Sequence, residues 1–231
     1  MRQIAHAFLV CVTGVTFAFG NTISFSTPVN SVESGGLPVS ATATVTTDTD
    51  SLTITLSNLF SDPRSSAQTV TGFELWLDPI VNNANLTSVT GTMINIDPVT
   101  QNPIQTAGSI THWTLTPTLS DLNSILSLTS LGGSHPANSI IGPPGSNGAY
   151  NNANASIMGD QPLIYATAVF HLDAPGVTAS TPVTSATFFF SSTPGNGVVG
   201  SPSVPEPGSL SLLITGVLSL AAANLKKSWR K

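Results

Sequence analysis

Residues 42–57 have the sequence TATVTTDTDSLTITLS, in which apolar and hydroxyl side chains alternate along two runs. The threonines of residues 42–46 would share one face of a strand, and Leu52, Ile54 and Leu56 would share one face of the next. Alternation with a period of two is typical of strands that bury one face. Between the runs, residues 47–50 (TDTD) have the composition of a turn. The stretch therefore predicts an antiparallel β-hairpin.

Similar short runs recur along the chain and predict a mainly β protein. The composition favours this interpretation, because the body is rich in Thr, Ser, Asn, Gly and Pro and poor in the usual surface helix formers. We expect an antiparallel β-sandwich of jelly-roll or immunoglobulin-like type. The further strand candidates are Thr22–Ser26, Phe73–Leu77, Leu86–Ile96, Ile110–Thr116, Leu163–Leu172 and Val183–Phe190.

Two segments depart from the strand pattern. Leu119–Leu131 is the one helix candidate of the body, with Ser120 as its N-cap and Gly132 at its end. Gly132–Gly159 is dense in Gly, Pro, Asn and Ser, and we expect a long mobile loop there.

The first twenty residues have the pattern of a secretory signal peptide. A positive start at Arg2 precedes an uncharged apolar run, Ile4–Phe19, and the small residues Ala18 and Gly20 predict cleavage before Asn21. Residues 1–20 are therefore expected to be removed, and residues 21–200 form the exported body.

Residues 201–231 contain three further signals in a fixed order. Val204-Pro205-Glu206-Pro207 comes first, then an apolar helix at about 208–225, and then a basic end at 226–231. Leu210–Leu225 is uncharged and would span about 24 Å as a helix, against about 30 Å for a bilayer core, so the segment is short but extendable. Basic residues beside such a helix stay on the cytoplasmic side, so this pattern predicts an inner-membrane anchor with the body outside. The basic residues are Lys226, Lys227, Arg230 and Lys231.

This tripartite tail resembles the PEP-CTERM sorting signal of bacterial exported proteins, a tail that is also labelled as the C-terminal segment of ice-binding proteins. The resemblance covers about 27 residues and implies that exosortase, a transpeptidase-like membrane enzyme, acts at or near Pro205-Glu206-Pro207. It further implies a transient inner-membrane anchor, followed by placement at the cell surface or outside the cell. The basic end, KKSWRK, differs from the family's arginine-dominated cluster.

Charge and cysteine content exclude several function classes. The body has ten carboxylates and a single base, Arg64, which argues against nucleic acid as a partner. The only cysteine of the sequence, Cys11, lies in the signal peptide. The mature chain would therefore have no disulfide, no thiolate metal site and no cysteine nucleophile.

The sequence contains no recognised catalytic or metal-binding motif, so we expect no catalytic site and no cofactor. His112, His135 and His171 are not at metal-ligand spacing, and we interpret His112 and His171 as structural. Gly133-Ser134-His135 does not match a nucleophile elbow. Asp48 and Asp50 are a weak Ca²⁺ candidate, since the pattern lacks a later acidic ligand, and a solvated turn is favoured. The Thr42-Thr44-Thr46 row is interpreted as the polar face of an ordinary half-buried strand.

We therefore expect a non-enzymatic, exported surface or matrix protein with a structural or adhesive role. A carbohydrate-binding module of the exopolysaccharide matrix is the first alternative, and it would display aromatic residues on one face. A secreted hydrolase would instead need clustered acids or a Ser–His pair, and an ice-binding body would need a flat, regular threonine face. The aromatic residues available in the body, apart from Phe, are Trp76, Trp113, Tyr150 and Tyr165.

Overall fold

The computed structural model describes residues 21–78, 81, 83–120, 123–131, 136–191 and 197–203. These residues form a mainly β protein, as the sequence predicts, with one short α-helix, α1 (Ala155–Gly159). The strands are β1 (Asn21–Ser26), β2 (Ala41–Asp48), β3 (Ser51–Asn58), β4 (Val70–Leu77), β5 (Asn85–Ile96), β6 (Pro103–Gln105), β7 (Thr114–Ser120), β8 (Asn123–Thr129), β9 (Ile140–Ile141), β10 (Leu163–Asp173), β11 (Val183–Phe190), β12 (Val198–Val199) and β13 (Ser201–Ser203).

The strands form one mixed sheet with two branches. The first branch has the order β13-β1-β2-β3-β10-β5-β6, and the second has the order β12-β11-β4-β8-β7. The short strand β9 joins them, because it pairs parallel with β10 and antiparallel with β4. The other described strand pairs are antiparallel.

Side chains from both branches belong to a single hydrophobic core. Phe25, Ile54 and Phe170 come from the first branch and pack in the same cluster as Phe73 and Phe188 of the second. The rings of Phe73 and Phe188 lie 5.3 Å apart, centroid to centroid, an ordinary distance for a stabilising aromatic pair. A smaller cluster, which includes Tyr150, Ile157 and Leu163, packs beneath the segment before β10.

The hairpin predicted from residues 42–57 is confirmed. Strands β2 and β3 pair from Ala41↔Asn58 to Asp48↔Ser51, and only Thr49 and Asp50 connect them. Asp50 has a φ of 54°, a left-handed conformation that Asp and Asn tolerate in turns. The alternating residues Leu52, Ile54 and Leu56 are buried, as their spacing predicts.

The predicted helix at Leu119–Leu131 is wrong, because this segment belongs to the hairpin β7–β8. The strands pair from Thr114↔Thr129 to Ser120↔Asn123, and residues 121–122 lie outside the described part. Ser124, Leu126 and Leu128 are all buried, which is the period of a strand. The Ser, Thr and Asn residues between the leucines have low helix propensity, and that preference prevailed over the helical spacing of the apolar residues.

The expectation of a long loop without regular structure at 132–159 is corrected for residues 136–159. Residues 132–135 lie outside the described part. This segment contains β9 and α1, and Tyr150 is fully buried within it. Its backbone is held by bonds such as Tyr150 N–H to Gln101 O (2.9 Å) and Gly145 N–H to Ala149 O (3.0 Å). The Gly and Pro residues therefore shape a packed connection.

The strand expected at Ile110–Thr116 begins only at Thr114. Trp113, just before it, is buried and donates its indole N–H to Asn138 O at 2.9 Å. Its ring packs edge-on against Phe170 at 4.8 Å. Trp113 thus ties the packed connection to the core.

Candidate functional site

The chain enters and leaves the described body at the same end of one edge of the sheet. Strand β13 pairs antiparallel with β1, with Ser203 opposite Ser24. Asn21, where signal cleavage is expected, is three residues from Ser24, so it lies roughly 10 Å along the strand from that pair. The sheet also continues into residues 201–203, which the sequence assigned to the tail.

The signal peptide and the whole sorting tail after Ser203 lie outside the described residues. This part of the chain includes the segment 208–225 expected to span the membrane, the sorting residues Val204, Pro205, Glu206 and Pro207, and the basic residues Lys226, Lys227, Arg230 and Lys231. None of the described helices is long and apolar enough to cross a membrane.

The outer surface of β1, β2 and β3 is an array of hydroxyl side chains, which we call the hydroxyl face. The register aligns Thr46 with Thr22 and Thr53, Thr44 with Ser24 and Thr55, and Thr42 with Ser26 and Ser57. Two cross-strand pairs are hydrogen-bonded, Thr22–Thr46 at 3.1 Å and Ser24–Thr44 at 3.0 Å between the oxygens. The single threonine row seen in the sequence is therefore the middle row of an uncharged three-by-three array.

The outer surface of the second branch has a different chemistry, and we call it the aromatic face. The side chains of Glu74 and Trp76 in β4 point away from the core, and Gly72 is in the same row of the strand. The register places Phe189 of β11 beside Gly72. Because residue 72 has no side chain, a groove of about 300 Å³ lies between Phe189 and Leu131. Trp76 is four residues from Gly72, so the two aromatic side chains are roughly 13 Å apart along the strand direction.

Glu74 lies between those aromatic residues and is partly buried. Burial raises the pKa of the Glu74 carboxyl above its ordinary value, because a charged carboxylate is less well solvated there. An ionised carboxylate can accept hydrogen bonds from hydroxyl groups, and the register places Thr187 and Ser127 beside Glu74 on the flanking strands. The combination suits a polyhydroxylated ligand with apolar ring faces.

The other aromatic candidates are placed differently. Trp113 and Tyr150 are buried, and the Tyr150 hydroxyl donates to Gly142 O at 2.9 Å. Burial also raises the pKa of the Tyr150 hydroxyl. Sequence reasoning therefore identified Trp76 but missed Phe189 and the Gly72 groove, whose signal was a lone glycine inside a strand pattern.

The described histidines bond to uncharged side chains. His112 Nδ1 lies 3.0 Å from Asn138 Oδ1, and His171 Nδ1 lies 3.3 Å from Thr53 Oγ1. His135 lies outside the described residues. The carboxyl groups of Glu74 and Asp78 are on a strand and just after it, and the register brings no second described carboxylate opposite Glu74.

Asp48 and Asp50 lie in the exposed β2–β3 turn, where Asp48 Oδ1 accepts from Thr49 N–H at 2.7 Å. Asp50 Oδ1 accepts from Gly176 N–H at 2.8 Å, and its backbone bonds to Val177 and Ala174. Asp50 therefore fastens the turn to the loop after β10. In the described part of the chain, no group of three or more His, Cys, Asp or Glu side chains is placed to hold a metal ion together.

Comparison with known proteins adds no relative to this picture. The chain matches no family model, no curated protein and no solved structure.

Proposed function

We propose that this chain is an exported surface or matrix protein that is sorted through its C-terminal tail. The carrying observation is the order of signals in residues 204–231: a Pro-Glu-Pro motif, an apolar segment and a basic end. The signal-peptide pattern of residues 1–20 agrees with it. On the sheet, Ser203, the last described residue, lies opposite Ser24, which is three residues after Asn21.

The tail supplies the mechanism of sorting. The segment at about 208–225 holds the chain in the inner membrane, and the basic residues 226–231 keep its end on the cytoplasmic side. Proline fixes φ and disfavours helix in the residue before it, so Pro205 and Pro207 present an extended backbone to an exosortase-type transpeptidase. After processing, the body resides at the cell surface or in the extracellular matrix.

The body is proposed to be a β-sandwich with a non-enzymatic structural or adhesive role. The shared core supports the sandwich, because residues of both branches pack in one cluster. The bonds of His112 and His171 to Asn138 and Thr53 favour structural roles for these histidines. The uncharged hydroxyl face suits contact with a neutral, hydroxyl-rich polymer.

Changing Pro205-Glu206-Pro207 to Ala-Ala-Ala tests the sorting proposal. We expect the wild-type protein in the surface or culture fraction of its host and the variant in the membrane fraction, because the processing enzyme no longer recognises the tail. Immunoblotting of fractionated cells measures the distribution. Pro202→Ala is the matched control, since it removes an exposed proline just before the motif, on the edge strand β13. Equal distributions of the wild type and the triple variant would contradict the proposal.

A second candidate function, carbohydrate binding, is favoured by the aromatic face. Sugar rings stack on aromatic side chains while their hydroxyls bond to carboxylates and amides, and Trp76, Glu74 and Phe189 offer those groups on one surface. The ligand would be the neutral portion of the cell's own exopolysaccharide.

Trp76→Ala is expected to weaken binding to that exopolysaccharide about tenfold or more, since stacking area is lost. Co-sedimentation with purified polysaccharide measures the affinity. Val99→Ala is the control, because it shortens an exposed apolar side chain between β5 and β6, outside both faces, and it should bind as the wild type does. If Thr44→Ala lowered the affinity and Trp76→Ala did not, the polysaccharide would contact the hydroxyl face and not the aromatic face.

A further inference from the structure

A cleft of about 420 Å³ lies at the other end of β3 from the Asp48–Asp50 turn. The residues after β3 and the packed connection before β10 form it, and we call it the Arg64 cleft. Its lining combines one apolar ring, Phe60, with the carboxylate of Asp62, the amide of Asn152 and the side chain of Arg64. Sequence reasoning singled out none of these as a site.

Asp62 is held rigidly in the wall of this cleft. Its backbone N–H donates to Pro143 O at 2.8 Å, and its φ of 50° is a left-handed value. Asn152 donates to both carboxylate oxygens, from its backbone N–H to Oδ1 at 3.2 Å and from its side chain to Oδ2 at 2.8 Å. A carboxylate has about four acceptor positions, so Asp62 keeps acceptor capacity for a ligand hydroxyl.

Arg64 is the only lysine or arginine between residues 21 and 203. Its backbone is fixed, because its N–H donates to the buried Gln68 side chain at 2.9 Å and its carbonyl accepts from Asn154 N–H at 3.1 Å. The side chain is exposed at the cleft, and the structure records no hydrogen bond or ion pair from its guanidinium to the described residues. In a body with ten carboxylates, its guanidinium is the cationic side-chain group available to attract an anion.

We propose that the Arg64 cleft binds an acidic saccharide through a uronic acid residue. The guanidinium takes the ligand carboxylate as a charge-assisted pair, for which its planar fork is suited. Asp62 accepts from a sugar hydroxyl, and the sugar ring packs on Phe60. Inorganic phosphate is a poorer fit, because it has no sugar ring to pack on Phe60. This inference stands apart from the sorting of the tail and from the aromatic face.

The test is a calorimetric titration of the protein isolated from its host with tri-galacturonic acid and with its methyl ester. The ester keeps the rings and hydroxyls and removes the charge. We expect the acid to bind at least about tenfold more tightly than the ester, and Arg64→Gln to reduce the affinity for the acid by a similar factor. Raising the salt concentration should weaken binding of the acid, because the pair is partly exposed.

Thr49→Glu is the matched control. It changes the net charge by the same amount as Arg64→Gln, but it lies at the opposite end of β3, roughly 24 Å away. It should leave the affinity within about twofold of wild type, because a charge at that distance is screened. Equal binding of acid and ester, no binding of either, or equal losses in Arg64→Gln and Thr49→Glu would each overturn the proposal. The ester comparison uses the wild-type chain and does not depend on how a variant folds.

Discussion

Gly142→Ala is expected to destabilise the body by about 3 kcal/mol or more. A Cβ atom on residue 142 would overlap the backbone carbonyl of Phe60 and lie 3.2 Å from Asn58 Oδ1. Backbone cannot swing aside as the end of a flexible side chain can, so the strand β9 region must separate from the segment after β3. The Gly142 carbonyl also accepts the buried Tyr150 hydroxyl, and that bond would be displaced as well.

Urea unfolding followed by tryptophan fluorescence measures this loss. Gly159→Ala is the matched control, because a Cβ there meets nothing within 4 Å at the end of α1. It should change the free energy of unfolding by no more than about 0.5 kcal/mol. If the two alanine variants unfolded at the same urea concentration, the close contact between residue 142 and Phe60 would be refuted.

Asn58→Asp is expected to have an effect of similar size, about 3 kcal/mol or more at neutral pH. The side chain of Asn58 is buried, and its NH₂ group donates to Gln68 O at 2.8 Å and to Ile140 O at 2.9 Å. Its Oδ1 accepts from Phe60 N–H at 3.0 Å. Aspartate keeps the acceptor but replaces both donors with an oxygen that faces two carbonyl oxygens.

The pH dependence of this variant gives a second readout. Burial and the two carbonyls would raise the pKa of the new carboxyl in the folded state above its unfolded value of about 3.9. The folded state then holds the proton more tightly, so stability relative to wild type falls as the pH rises from the unfolded pKa through the folded one.

Thermal unfolding of wild type and variant between pH 4 and pH 8 measures this trend. Asn95→Asp, on an exposed position of β5, is the control and should show neither the loss nor the trend. A loss in Asn58→Asp that is the same at every pH would argue against the assigned hydrogen bonds.

Long strands that bury one face, such as β2, β3 and β11, were predictable from the sequence. Leu52, Ile54 and Leu56 alternate with hydroxyl residues, and Val183–Phe190 was predicted with the bounds the structure has. Apart from the β2–β3 hairpin, the pairing of the strands was not predictable. It depends on contacts between distant segments, such as the parallel pair of β9 with Ile164 and Tyr165.

The two predictions that were wrong, the helix and the long loop, both fall within residues 119–159. In Leu119–Leu131 the apolar positions fit both a helix and a strand, and the pairing of β8 with β7 and β4 adds to the low helix propensity of the intervening Ser, Thr and Asn residues. In residues 136–159 the order comes from side chains elsewhere, such as Asn58, which binds Ile140 O. Composition alone cannot show that a segment rich in Gly and Pro has such partners.

The candidate sites were predictable to different degrees. Trp76 was identified as an available aromatic residue, but its neighbour Phe189 comes from a strand more than a hundred residues away, and only the register joins them. The hydroxyl face was not predictable for the same reason. The sequence shows the threonine row of β2, but only the register of β1 and β3 with β2 extends it to a three-by-three array. The Arg64 cleft was not predictable, because it depends on a hydrogen bond from Asn152, in the packed connection, to Asp62, which is ninety residues earlier in the chain.

The most direct test of the sorting proposal is the intact mass of the protein isolated from the surface and culture fractions of its native host. The account predicts a chain that begins at Asn21 and ends at or near residues 204–207, without the apolar segment and the basic end. A chain that begins at Asn21 but still ends at Lys231 would contradict it, because the tail would then be an anchor that no enzyme processes.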